Sequence, residues 1–114
     1  MEAEAYPGPS IVIAYAPCIN HGIDMSQSQK RQKIAVDSGY WLLYRYNPQN
    51  RLQDKHPLTL DSREPTLPAH EFLKGERRYA ALKDIFPQRS EKFQASADIF
   101  FKERYFQYKK LTEQ

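Results

Sequence analysis

One cysteine and three histidines are the main metal-ligating side chains of this 114-residue chain, and only one of the four sits in a suggestive setting. Cys18 follows Ala14-Tyr15-Ala16-Pro17 and precedes Ile19-Asn20-His21-Gly22. A cysteine at the mouth of a strand, just before a turn, can point out of the sheet. A Cys-x-x-His pair can hold a metal ion if two more ligands come from elsewhere. The residues alone favour the common state of a lone cysteine, a small buried core residue. Asn20 is placed to hydrogen-bond the turn or a cofactor, and His21 reads first as a turn residue. The spacing of His56 and His70 suggests no site. Asp61 and Glu64 lie in a polar turn, where Asp61 can cap or pair with Arg63 or Arg45 in a structural role. The sequence shows no Ser-His-Asp arrangement, acid pair or phosphate-binding glycine loop, so no residue is assigned as catalytic.

The elements that must position Cys18 follow from the hydrophobic pattern. Tyr6-Pro7-Gly8-Pro9 is a turn signal. Ser10 to Ala16 is short, apolar and β-branched, the pattern of a strand buried on both faces in a parallel sheet. Ser26, with Gln29 three residues on, can cap a helix over Gln27 to Ser38. Gly39 suits the position that ends it. Tyr40 to Tyr46 reads as a second strand, closed by Asn47-Pro48, so strand, helix and strand predict one βαβ unit. Four of the eight prolines lie between Asn47 and Ala69, which marks residues 49–68 as an extended loop, with Leu58 to Asp61 as a short edge strand. Two helices follow: Ala69 to Phe86, stopped by Pro87, then one capped by Ser90 and running near to Leu111. On the latter, Phe93, Ala97, Phe100, Arg104 and Leu111 fall near one stripe, with Phe101 and Tyr108 beside it and Ile99 and Phe106 on other faces. Such a stripe packs a core more often than it binds a ligand.

The expected architecture is therefore α/β: a partial parallel sheet with a βαβ unit at 1–48, the loop at 49–68 and a helical extension at 69–114. Two strands make a poor parallel sheet alone, since such sheets need several strands with both faces covered. The composition agrees with a piece that packs against something else. Aromatics make up 13%, too many for a disordered segment, yet a mean hydropathy of -0.79 is polar for a self-sufficient core.

A net charge of +3 is mild. The basic clusters Lys30-Arg31-x-Lys33, Arg77-Arg78 and Lys109-Lys110 fall on predicted helices and read as solvated faces. A nucleic-acid site needs a denser stripe, so none is expected. No apolar run reaches the length of a membrane span. The acidic start Met1-Glu2-Ala3-Glu4 does not resemble a signal peptide, and one cysteine cannot form an internal disulfide. These features fit a cytoplasmic source.

Several stretches, in order, carry a resemblance. They are Glu4-Ala5-Tyr6-Pro7-Gly8-Pro9-Ser10, Ala14 to Ile23 around Cys18, Ser38-Gly39-Tyr40-Trp41, Leu43-Tyr44-Arg45-Tyr46-Asn47-Pro48, Leu60-Asp61-Ser62-Arg63-Glu64-Pro65, and Glu71-Phe72-Leu73-Lys74-Gly75-Glu76-x-Arg78-Tyr79. As a set they resemble the C-terminal end of the pyruvate:ferredoxin/flavodoxin oxidoreductases, at the close of the thiamine diphosphate-binding domain, over nearly the whole chain. Two departures stand out. Leu42 replaces the usual proline, and Asp54-Lys55-His56-Pro57 replaces a common Gly-Lys-Asn-Pro pattern.

The resemblance implies a large homodimeric parent carrying thiamine diphosphate, Mg²⁺ and iron–sulfur clusters. Such enzymes convert pyruvate and coenzyme A to acetyl-CoA and CO₂ and pass two electrons to ferredoxin or flavodoxin. It also implies that Cys18 is an iron ligand of a [4Fe–4S] cluster in the intact enzyme. The Gly-Asp-Gly and Asn-Thr motifs for thiamine diphosphate, and the remaining cluster cysteines, do not occur in this chain. On its own the chain is expected to be inactive and to hold no cofactor. Its expected partner is the rest of the oxidoreductase or a paralogous subunit. The competing reading is a non-catalytic remnant that associates with a full-length paralogue through its aromatic helices.

Overall fold

The computed structural model of the chain describes residues 1–113. Gln114, the end of the expected helical extension, lies outside the described residues. The elements are α1 (Glu2–Ala5), α2 (Ser28–Asp37), β1 (Tyr44–Tyr46), β2 (Leu58–Leu60), α3 (Ala69–Leu73), α4 (Arg77–Ile85) and α5 (Pro87–Leu111). Short 3₁₀ turns occupy Ile19–His21, Met25–Gln27 and Pro48–Gln53. The architecture mixes helices with a small sheet, as expected for the α/β class, but the sheet is not parallel.

β1 and β2 pair antiparallel, with Tyr44 opposite Leu60, Arg45 opposite Thr59 and Tyr46 opposite Leu58. The expected edge strand at Leu58 thus forms, and its partner is the second strand of the expected βαβ unit. The first strand of that unit does not form. Residues 10–16 run without a strand partner, and Ile11, Val12 and Ile13 are 88, 78 and 70% exposed. A strand that expects apolar cover on both faces has no ladder to join when this chain supplies neither neighbour. The second strand is also shorter than expected, because Tyr40 and Trp41 leave the extended run to pack on the core.

Helix α2 ends as its sequence suggests. Gly39 takes the left-handed conformation, φ +75°, and its N–H bonds the Val36 carbonyl. The helix starts later than expected. Asp24, not Ser26, supplies the capping oxygen, accepting from the Ser26 N–H at 2.9 Å ahead of the 3₁₀ turn.

The expected helix from Ala69 to Phe86 is two helices, broken at residues 74–76. α3 begins after Pro68, which has no capping side chain, and the Asp98 carboxylate of α5 accepts the Ala69 N–H instead. α5 begins at Pro87 rather than at a Ser90 cap, since the fixed φ of proline suits a first helical turn. Ser90 is buried within it.

The core is Ala35, Ala69, Phe72, Leu73, Ala97 and Phe101, with Tyr15, Ile34, Tyr40, Trp41 and Tyr79 packed around it. The buried stripe of α5 is Ser90, Ala97, Phe101 and Tyr105. This rotates the expected stripe: Phe93, Phe100 and Leu111 are exposed, and Phe101 is the aromatic that enters. Arg104 sets the rotation, for its guanidinium donates to the Gly39 and Tyr40 carbonyls at 2.5 Å each. Those carbonyls lie just past the end of α2.

Candidate functional site

Cys18 is exposed and free, which excludes the buried-core alternative. It stands at the N-cap of the Ile19–His21 turn, where its carbonyl accepts the His21 N–H at 3.0 Å. Gly22 closes the turn in the left-handed region, φ +71°, and its N–H bonds the Ile19 carbonyl at 2.9 Å. Asn20 is exposed.

The chain is anchored on both sides of this turn. Upstream, the Tyr15 ring lies 5.9 Å from Tyr40, 5.8 Å from Trp41 and 6.3 Å from Phe72, and Pro17 is buried. Burial raises the pKa of the Tyr15 phenol, and the Glu76 charge raises it further. Downstream, Ile23 is buried. The exposed thiol thus lies between two buried or packed flanks.

Behind the turn lies a buried ion pair that the sequence did not reveal. Arg31 and Glu76 are 8 and 6% exposed. One Arg31 Nη2 donates both to Glu76 Oε1 at 3.0 Å and to the Phe72 carbonyl at 2.6 Å. The guanidinium carbon stands 5.1 Å from the Phe72 ring centroid. Gly75 makes this possible, since a Cβ there would fall on the guanidinium. Arg31 therefore does not belong to a solvated basic face. The second Glu76 oxygen, Oε2, faces His21 Nδ1 at 3.8 Å, beyond hydrogen-bond length but within ion-pair range. No periodicity could link residues 45 positions apart; the one local signal was a Gly-Glu step inside a predicted helix.

The remaining expected residues are dispersed. His56 Nδ1 accepts the Leu58 N–H at 3.1 Å and so orders the start of β2. His70 lies beside Glu71 and Asp98 at 3.5 and 3.9 Å. Asp61 pairs with Arg45 through two bonds of 2.7 and 2.8 Å, and Glu2 joins Arg45 at 2.8 Å. Arg63 takes no part in that pair. The Arg45 bonds hold the Asp61 carboxyl below its ordinary range.

Among the described residues, no group of three or more His, Cys, Asp and Glu side chains is placed to hold a metal ion. As a donor set, Cys18 fits one corner of a four-thiolate cluster. A separate open groove of about 1250 Å³ runs between residues 9–13 and the hairpin, lined among others by Ile11, Val12, Ile13, Trp41, Tyr44 and Arg45. Cys18 does not line it.

No protein-family profile matches the chain. Individual relatives do. The chain is 54% identical to a pyruvate:ferredoxin oxidoreductase of Moorella thermoacetica over 113 residues, 99% of this chain and 10% of that protein. It is 48% identical to a pyruvate-flavodoxin oxidoreductase of Enterobacter agglomerans, over 97% of this chain and 10% of that protein. A mitochondrial pyruvate dehydrogenase [NADP(+)] of Euglena gracilis is 33% identical over 99% of this chain and 6% of that protein. The chain thus spans about a tenth of the length of these two oxidoreductases.

Proposed function

We propose that this chain, a segment belonging by its sequence to the pyruvate:ferredoxin/flavodoxin oxidoreductases, contributes one thiolate ligand and a packing surface to the thiamine diphosphate domain of a full-length enzyme. That enzyme joins pyruvate and coenzyme A to give acetyl-CoA and CO₂, and two electrons leave for ferredoxin or flavodoxin. When bound, a [4Fe–4S] cluster supplies one-electron transfer. The part of this chain is to hold Cys18 outward on an anchored turn, as the C-terminal end of the thiamine domain in a cytoplasmic homodimer.

The exposure of Cys18 between anchored flanks carries this reading. Support comes also from Ile11, Val12 and Ile13, whose apolar side chains need cover that this chain does not supply. In this view residues 1–48 close the thiamine domain, 49–68 form a connecting loop and 69–114 a helical extension. Thiamine diphosphate, Mg²⁺ and the other three thiolates belong to the larger protein. Nucleic acid and membrane are not partners in this scheme. Among the described residues no helix is long and apolar enough to cross a membrane.

The test is a graft of this chain in place of the matching tenth of the Moorella oxidoreductase. The graft should retain pyruvate- and coenzyme A-dependent dye reduction, and Cys18→Ser should remove or alter one cluster signal in electron paramagnetic resonance. A Cys18→Ser graft with unchanged cluster signals would exclude the ligand role.

A second reading is a non-catalytic module that binds a full-length paralogue. It is favoured by the apolar side chains α5 leaves exposed, Phe93, Ile99, Phe100 and Phe106. Co-purification of the free chain with the intact Moorella enzyme, lost on Phe100→Glu, would support it over the graft result.

A further inference from the structure

Resting on the reading of Cys18 as a shared ligand, we propose that Glu76 is a positioning residue for the Cys18 turn, held in place by Arg31. The turn belongs to no sheet or long helix, and its own backbone bonds span only residues 18–22. Beyond the Tyr15, Pro17 and Ile23 anchors on either side, the turn leans against the Glu76–Arg77 step at the start of α4.

Two contacts make the seat. Gly22 lies against the Arg77 stem so closely that a Cβ would come within 2.6 Å of Arg77 Cβ. His21 turns its Nδ1 toward Glu76 Oε2 at 3.8 Å. The Glu76 carboxylate cannot swing away, because Oε1 is bonded by Arg31 at 3.0 Å and both side chains are almost fully buried. Arg31 is fixed in turn by the Phe72 carbonyl and ring. A chain of contacts thus runs from the core aromatic Phe72 through Arg31 and Glu76 to His21, three residues from the thiol. A group that supports a ligand's backbone from behind sets where its sulfur points, and so tunes the metal it joins.

The primary test uses amide nuclear magnetic resonance of the full chain. His21→Gln leaves the buried pair intact, so folding is preserved, and it should shift the amide signals of residues 17–23 while Phe101 and Tyr105 stay in place. Glu76→Gln should move the same turn signals together with those of Phe72 and Gly75. Glu76→Asp should restore part of the native pattern. Turn signals at residues 17–23 unchanged in Glu76→Gln would overturn the proposal.

The cluster provides the second readout. In the Moorella graft, His21→Gln should shift the reduction potential of the cluster that Cys18 joins, with assembly retained. An unchanged potential would exclude the tuning role. If Cys18→Ser leaves every cluster signal intact, the ligand reading fails while the turn-seat result from the free chain stands, so the two failures are separable.

Discussion

Arg31 and Glu76, 45 residues apart, meet at 3.0 Å in a site that leaves each less than a tenth exposed. The pair joins α2 to the break between α3 and α4, and it lies under the only turn that carries a thiol. Its second consequence is energetic, because a buried charge that loses its partner is costly.

Removing one member should therefore destabilise the chain strongly. Glu76→Leu leaves the Arg31 guanidinium buried with only the Phe72 carbonyl and ring, and should cost about 3–5 kcal/mol. The double variant Arg31→Met/Glu76→Leu should cost less than Glu76→Leu alone, since apolar groups of similar volume replace both charges. Urea denaturation of the three proteins checks both statements.

Gly75→Ala tests the close approach of backbone and guanidinium. The added methyl group would occupy the Arg31 position, so Arg31 must shift and its bonds to Phe72 and Glu76 weaken. Overpacking of this kind typically costs about 1–3 kcal/mol. Combining Gly75→Ala with Arg31→Ala should add little to Arg31→Ala alone, and thermal melts of the four-protein cycle measure that coupling.

The Arg45–Asp61 pair predicts a pH dependence with a definite sign. The Arg45 bonds lower the Asp61 pKa in the folded chain. The folded state then binds fewer protons at this carboxyl than the unfolded state does. The pair's contribution is complete above the unfolded Asp value, about pH 4, and is lost as pH falls through the lower folded value. Asp61→Asn should reduce the acid dependence of the melting temperature below pH 4 and leave the dependence between pH 6 and 8 unchanged, which a pH series of melts resolves.

Uncovered apolar side chains at residues 11–13 should make the free chain self-associate. Val12→Lys should lower the associated fraction in sedimentation velocity runs and leave the melting temperature of the helical core within error, because Val12 is 78% exposed and no member of the core cluster. Unchanged association in the variant would locate the sticky surface elsewhere, with α5 as the next candidate.

Much of the local structure was legible because it rests on local physics. Gly39 marked the end of α2 because few other residues accept a positive φ, and Pro87 separated two helices because its ring and missing N–H end one helix and start the next. Asp61 was expected to cap or to pair with Arg63 or Arg45, and only the packed chain chose Arg45. The long-range features were not legible for equally plain reasons. The β-branched run at 10–16 reads as a buried strand, but a strand is completed by neighbours, and the described chain provides none. The α5 stripe was misplaced by one residue at its centre, Phe100 for Phe101, because a hydrophobic count does not register Arg104 reaching carbonyls 64 and 65 positions away.

By itself, the sequence determined the kinship of the chain, the single thiol and its turn, the end of α2 at Gly39 and the helix break at Pro87. These depend on residue identity and on interactions within a few positions. Tertiary structure alone decided that Cys18 is exposed, that the hairpin is antiparallel, and that a buried Arg31–Glu76 pair stands behind the turn. Each of those depends on which distant backbone and side-chain groups satisfy one another, and that matching is settled only when the whole chain is packed.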